Sequence, residues 1–337
     1  MAQIQPSTHP TLADIAAIAG VSVKTASRAM NELDRVSPLT MEKVKKAAEL
    51  VGYRSNRIAR ELRVGALSNL VGMVISDLAN PFYAGMASGA EEELSGSGLD
   101  LIIATARDDG NREKILIESL LERRVRGLLI IPSAQDYSYL HLERKRGFSF
   151  VFVDRPPAYL DADTVLADNE GGIDACVAYL AAKGCSRIAL IADNPEIWTA
   201  SERVEGFKKS IIKHGLQAAK SKVIPGVHTS EQAEHVALDM LKQSHGIDGF
   251  VASNDLIAIG VGHAITSTSS QVSLVSFDDF PSAQLLKIPT LNHDPKRLGV
   301  AAAKLLLERI ENPIEIGFET KTIELQLNTF PPEGAKI

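Results

Sequence analysis

The chain has 337 residues, 45% hydrophobic and 23% charged, which is ordinary for a soluble globular protein and too long for one typical domain. Its two cysteines, Cys176 and Cys185, fit no zinc or redox spacing, the first ten residues have no signal-peptide pattern, and no apolar run reaches the length of a membrane span. These features point to a cytoplasmic protein with no metal or other cofactor and no membrane partner. The net charge of −6 is unevenly spread: residues 1–65 hold ten Lys/Arg against six Asp/Glu, and the remainder 26 against 36. A small basic head on a large acidic body suits a polyanion-binding head.

Residues 1–10 read as a disordered arm and residues 11–54 as a three-helix head. In TLADIAAIAGVSVKTASRAMN, Thr11 is an N-cap and Leu12, Ile15, Ala16 and Ala19 recur at helical spacing. Gly20 suits the left-handed end of that helix, and Ser22 caps the next. The second helix, Val23 to Met30, turns Ala26 and Met30 inward. Val23, Lys24, Ser27 and Arg28 are left on one outer face that fits the DNA major groove; an ordinary helical hairpin has the same periodicity. Ser37-Pro38 starts a third helix, with Val44, Ala47, Ala48 and Val51 inward and Gly52 as its stop. Residues 55–67 form a hinge and linker. The run YRSNRIARELRVGAL places Ile58 and Leu62 on one face and offers Arg54, Arg57, Arg60 and Arg63 to phosphates, but alone it is a marginal helix or a solvated basic linker.

AGVSVKTASRAMN, then RVSP, GYRSNRIARELR and LVGMVISDLANPFYAGMASGAEEEL, together resemble the lac-repressor (LacI/GalR) family of bacterial transcription regulators, and the resemblance continues to about Gly299. It implies a ligand-responsive repressor, not an enzyme, that binds a pseudo-palindromic double-stranded operator as a homodimer under allosteric control by a small-molecule effector. The DNA-facing set it implies is Thr11, Val23, Lys24, Thr25, Ser27, Arg28 and Asn31 in the head. In the hinge it implies Asn56, Arg57, Ile58, Ala59 and Leu62, with Leu62 as the minor-groove wedge. Two departures stand out: Ser55 replaces the usual proline before the hinge asparagine, and Lys24 replaces a small or amide residue. No leucine-heptad tail follows, so a dimer is expected rather than a tetramer.

From Leu70 the chain alternates short apolar strands with amphipathic helices. The first strands are Leu70–Ile75, Leu101–Thr105, Gly127–Ile131 and Phe150–Val153, with helices Phe82–Leu94, Asn111–Arg124 and Tyr137–Arg146 between them. A second series has strands Thr164–Ala167, Arg187–Ile191, Lys222–Ile224, Gly249–Ala252 and Ser273–Ser276. The expected fold is a small all-α helix-turn-helix head plus an α/β body of two doubly wound parallel-sheet lobes, resembling periplasmic sugar-binding proteins. By family topology, residues 68–337 make the effector-binding and dimerisation domain. Lobe one takes about 68–166 and 293–322, and lobe two about 167–292 and 323–330, with a final strand near Thr322–Leu327.

Ligands of such folds sit at strand carboxyl ends. Asp77, Asn80 and Phe82 lie in the first such loop, although Asn80-Pro81 equally reads as a helix start. Asp154 ends another strand and could simply pair with Arg155. The family pattern points Arg203 into the cleft, where a guanidinium fork suits hydroxyls or carboxylates. It also places Asn254 and Asp278 at the ligand and leaves Asp255 and Asp279 more structural. Trp198, the single tryptophan, reads as a stacking platform or a packed loop anchor, and His228 as a pocket or surface residue. The family favours a sugar or polyol effector; a nucleoside or purine is the alternative. An α/β enzyme lacks support, since Gly260-Val261-Gly262 has Ile265 where a third glycine belongs and no nucleophile elbow, HExxH or Walker loop occurs. A transported-sugar-binding protein would need export and has no use for a basic head.

Overall fold

The computed structural model describes residues 10–30, 36–53, 68–242, 246–292, 294–312 and 317–329, and the chain divides into two units between Ser68 and Asn69. In the first unit, helix α1 (Leu12–Ala19) opens on a reciprocal cap: the Thr11 N–H donates to Asp14 Oδ2 at 2.8 Å and the Asp14 N–H to Thr11 Oγ1 at 3.4 Å. Gly20, at φ 65°, ends it in the left-handed conformation. Helix α2 (Val23–Met30) is capped by Ser22, whose Oγ accepts the Thr25 N–H at 3.1 Å. Helix α3 (Pro38–Val51) starts on Ser37 with proline at its first turn. Ile15, Ala16, Ala26, Ala29, Val44, Ala47 and Ala48 form the core. Ala29 takes the fully buried place expected of Met30, which packs at the margin. The small side chains let three short helices approach closely.

The second unit runs β1 (Leu70–Ile75), α4 (Pro81–Gly96), β2 (Asp100–Thr105), α5 (Gly110–Glu122) and β3 (Gly127–Ile130). A 3-10 turn (Ser138–Leu140) leads into α6 (His141–Lys145), β4 (Ser149–Val153), β5 (Asp163–Ala167), α7 (Asn169–Ala182) and β6 (Ile188–Ile191). There follow α8 (Trp198–Lys213), β7 (Lys222–Ile224), α9 (Ser230–Lys242), β8 (Gly249–Ala252), α10 (Asp255–Thr268) and β9 (Ser273–Ser276). The chain closes with α11 (Ala283–Leu286), β10 (Thr290–Leu291), α12 (Pro295–Glu311), β11 (Thr320–Ile323) and β12 (Leu327–Asn328).

These strands build two sheets, ordered β11-β5-β4-β3-β1-β2 and β12-β10-β9-β8-β6-β7. All ladders are parallel except β12 on β10. Each sheet is covered on both faces by apolar clusters, which is why its strands read as near-continuous hydrophobic runs. Three expectations need correction. The strand Thr164–Ala167, grouped with the second series, belongs to the first sheet, because β5 pairs with β4 and β11 there. The helix expected over Tyr137–Arg146 is a 3-10 turn plus five helical residues. The single final strand is two, β11 in the first sheet and β12 in the second, because residues 324–326 cross between lobes. The chain thus crosses three times. The crossings are tied by the Asp168 N–H on Ile323 O at 3.0 Å and the Asn292 N–H on Gln326 O at 2.5 Å.

Lobe one is closed by α12 lying across α4. A Cβ on Gly299 would sit 1.9 Å from Met86 O, and one on Gly89 would sit 2.2 Å from Lys296 O. A mid-helix glycine costs about 1 kcal/mol against alanine, and here it allows backbone-to-backbone contact that no other residue permits. Arg309 of α12 also forks onto buried Asp163, Nε to Oδ2 at 2.8 Å and Nη2 to Oδ1 at 2.9 Å, so the helix is pinned to the edge of β5. Gly299→Ala is expected to destabilise this unit by about 1–3 kcal/mol or more, as overpacking against backbone does. Gly96→Ala, where a Cβ meets nothing within 4 Å, should leave the melting temperature unchanged or slightly raised. Thermal denaturation of the two variants checks the difference.

Candidate functional site

Parallel strands of both sheets end in polar residues that face one another across the lobes: Ser76-Asp77 after β1, Asp154 after β4, Asp193 after β6, Ser253-Asn254 after β8 and Asp278 after β9. They line a cavity of about 330 Å³ to which both lobes contribute. Asp77, Asn80, Phe82, Asp154, Arg203, His228, Asn254 and Asp278 all line it.

Local chemistry aims each group. Asn80 caps α4, its Oδ1 accepting the Phe82 N–H at 2.9 Å, and this holds Phe82 edge-on to Tyr83 at 5.5 Å between ring centroids. Asp154 sits at φ 69°, a left-handed conformation that aspartate tolerates better than most side chains, and is buried. Next to it Arg155 donates from Nη1 to Pro132 O at 3.0 Å and from Nη2 to Tyr83 Oη at 3.1 Å. Burial keeps the Tyr83 phenol protonated, its pKa pushed well above the ordinary value. In lobe two, Asp193 holds two neighbours: His228 Nδ1 lies 2.9 Å from Oδ1, and Asn254 Nδ2 donates to Oδ2 at 3.3 Å. The hydrogen bond and charge of Asp193 raise the His228 pKa. Asn254 also caps α10, accepting the Ile257 N–H at 2.9 Å.

Arg203 is the most constrained of these groups. It is 7% exposed, and its guanidinium carbon lies 3.7 Å from the centroid of the Phe277 ring. Nε donates to Asn169 Oδ1 at 2.8 Å, Nη1 donates to Ser253 O at 2.5 Å, and Asp278 lies 3.9 Å from Nη1. Ser253, 1% exposed, lines the cavity with an Oγ that has no hydrogen-bond partner among the described residues. Asp255 lies against the same cavity, and burial, then the charge of Asp278, lifts its pKa to about 6.

Residues 11–56 match the family described as "Bacterial regulatory proteins, lacI family", and residues 68–327 match "Periplasmic binding proteins and sugar binding domain of LacI family". The chain belongs to the LacI family. It is therefore a DNA-binding transcription regulator and not an enzyme. Among LacI-family relatives it is 29% identical over 334 residues to the regulator CelR of Thermobifida fusca, covering 95% of this chain and 96% of that one. It is 28% identical over 313 residues to the repressor PurR of Photobacterium profundum, covering 90% and 92%. The structure of the lac repressor dimer bound to operator and the anti-inducer ONPF superposes with a TM-score of 0.83 at 25% identity, covering 95% of this chain and 98% of that chain.

In the LacI head, Val23 is 51% exposed and Lys24 is exposed beside it, with Ser27 and Arg28 half-buried. The Thr25 Oγ1 lies 2.8 Å from Ser22 Oγ, and its N–H completes the cap of this helix. The Thr11 hydroxyl is likewise engaged, donating to Asp14 Oδ2 at 2.7 Å. Asn31, Asn56, Arg57, Ile58, Ala59 and Leu62 lie outside the described residues.

Trp198 is corrected in two ways. It opens helix α8 instead of standing on a loop, and it lines a neighbouring cavity, not the one around Arg203. Five residues along a helix turn the side chain by about 140°, so Trp198 and Arg203 point apart. Sequence reading passed over Asp193, Ser253, Asp255 and Asp108 as cavity residues. The first three carry the strand-end signal that marked their neighbours, whereas Asp108, at φ 53°, stands in a loop with no such mark. Asp279 is structural as expected, accepting the Thr290 hydroxyl at 2.9 Å.

Because the folded pKa of Asp255 is raised, from 3.8 to about 6, the penalty for burying its charge is absent below the lower value and complete above the higher. Stability conferred by the protonated form is lost as pH rises through that window. Asp255→Asn should raise the melting temperature at about pH 8 and change it little at about pH 4. Equal effects at both pH values would remove Asp255 as a strained acid.

Proposed function

We propose that this chain represses transcription by binding a pseudo-palindromic operator as a homodimer, and that a sugar or polyol in the Arg203 cavity controls its affinity for that DNA. A LacI-family repressor works in the compartment that holds its operator, here the cytoplasm. Val23, Lys24, Ser27 and Arg28 take the base-reading positions, and Asp77, Asn80, Phe82, Asp154, Arg203, His228, Asn254 and Asp278 take the effector.

The observation that carries the effector reading is a cavity between the lobes in which buried Arg203, 3.9 Å from Asp278, shares the lining with further carboxylates and with Ser253. Carboxylates accept hydrogen bonds from hydroxyls, a guanidinium donates to ring and hydroxyl oxygens, and the Ser253 Oγ still lacks a partner among the described residues. Polyhydroxylated ligands satisfy all three at once. The relatives support it: the names CelR, MalI and ribose operon repressor stand beside PurR, and a CelR–cellobiose complex superposes with a TM-score of 0.69 at 27% identity. With three crossings as the connection, ligand that binds one lobe arrangement more tightly than the other shifts the balance between them. Each tenfold change in operator affinity needs about 1.4 kcal/mol of such difference.

Operator fragments selected from a random-sequence pool provide the test. Arg203→Ala and the milder Asp278→Asn should retain operator binding while losing the ligand response and the ligand-induced rise in melting temperature. A normal response in both would take the effector out of this cavity. Lys24→Ala should weaken operator binding, and wild-type affinity should fall steeply as salt rises, because phosphate neutralisation releases counterions. A flat salt dependence would contradict the head as a DNA reader.

A further inference from the structure

The Arg203 cavity does not end at its own walls. A second, wider cavity of about 1280 Å³ adjoins it, and Asp108, Arg155, Ile197 and His228 line both. At about 330 Å³ the inner cavity stands at the small end of the range of roughly 300–1,000 Å³ typical of ligand pockets. It suits one compact unit and leaves the outer cavity for something more.

The outer lining has the chemistry of a second binding position. Trp198, half-buried at the start of α8, offers an aromatic face from lobe two. Across from it in lobe one stand Tyr139 and Ser133, whose hydroxyls are buried and have no hydrogen-bond partner among the described residues. Burial holds the Tyr139 phenol in its protonated form, so it remains a donor. Asn111, Gln135 and Asn194 add neutral amides that both donate and accept. An aromatic face beside unsatisfied hydroxyls and amides fits a sugar ring, which is apolar on its C–H face and hydrogen-bonding around its edge.

Charge narrows the class further. Asp77, Asp108, Asp154, Asp193, Asp255 and Asp278 line the inner cavity against Arg155 and Arg203. The outer cavity holds Asp108, Asp109, Asp136 and Glu196 against Lys114 and Arg155. Lys114 is itself turned onto the Tyr139 ring, 4.8 Å from its centroid. An excess of carboxylates in both cavities repels a phosphorylated sugar or a nucleotide. We infer that the effector is a neutral oligosaccharide of at least two rings, one held at Arg203 and the next on Trp198, with Tyr139 and Ser133 bonding its hydroxyls. The inference rests on the cleft being the effector site, as proposed above.

Trp198 is the only tryptophan, so its fluorescence reports the outer cavity directly. The full chain is titrated by calorimetry and by tryptophan emission with D-glucose, D-galactose, cellobiose, maltose, lactose, melibiose and glucose 6-phosphate. At least one disaccharide should bind about tenfold more tightly than either monosaccharide and shift the Trp198 emission, while a monosaccharide seated at Arg203 leaves the emission unchanged. Tyr139→Phe removes only an unpaired hydroxyl. It should keep the melting temperature, weaken the disaccharide about threefold or more and leave monosaccharide affinity unaltered. Equal affinity for one ring and two, an unmoved Trp198 signal with a bound disaccharide, or tightest binding of the phosphorylated sugar overturns the second position while leaving the inner one intact. Binding of no saccharide overturns the sugar reading of the whole cleft.

Discussion

Burying the charge of Arg203 requires partners, and supplying them organises the second lobe. A guanidinium removed from water keeps its charge only where hydrogen-bond acceptors and opposite charge surround it. Here the partners come from separate stretches of chain: Asn169 at the start of α7, the Ser253 carbonyl after β8, Phe277 and Asp278 after β9. Each lies at the carboxyl end of a parallel strand or the first turn of a helix. Only a sheet with its strands in this order brings them to one point.

The opposite lobe repeats the logic with Arg155, which is held by Tyr83 and the Pro132 carbonyl and flanked by Asp154 and Asp108. Two buried arginines thus share the lining of a cavity with six aspartates. Their ion pairs to Asp278 and Asp154 are long, at 3.9 and 3.6 Å. Charges held apart in this way keep hydrogen-bonding capacity for a ligand, at a cost in stability that the raised pKa of Asp255 also records.

The rigidity of each lobe makes their connection matter. Lobe one is locked by the glycine-mediated contact of α4 with α12 and by the Arg309–Asp163 fork. Packed lobes of this kind do not deform gradually, so any change of arrangement between them would fall on the three crossings, whose backbone hydrogen bonds run between neighbouring strands of chain. Asp168 at the first crossing also caps α7, the helix that carries Asn169 to Arg203. The crossings and the Arg203 cavity are therefore mechanically adjacent.

Much of this could be read from the amino-acid order, because local rules act over a few residues. Thr11, Ser22 and Ser37 cap where their spacing says they should, and the strand runs from Leu70 to Ser276 stand close to their expected limits. The strand-end polar residues could be found for the same reason: a polar group directly after an apolar run has few other places to go. Pairing between distant segments follows no such rule. The membership of β5 in the first sheet, the splitting of the last strand, and the closeness of Asp193 to His228 all depend on which strands lie side by side. Trp198 shows the limit most clearly. It stands five residues from Arg203 along the chain, but helical rotation sends the two side chains into different cavities, and that separation gives the cleft its second compartment.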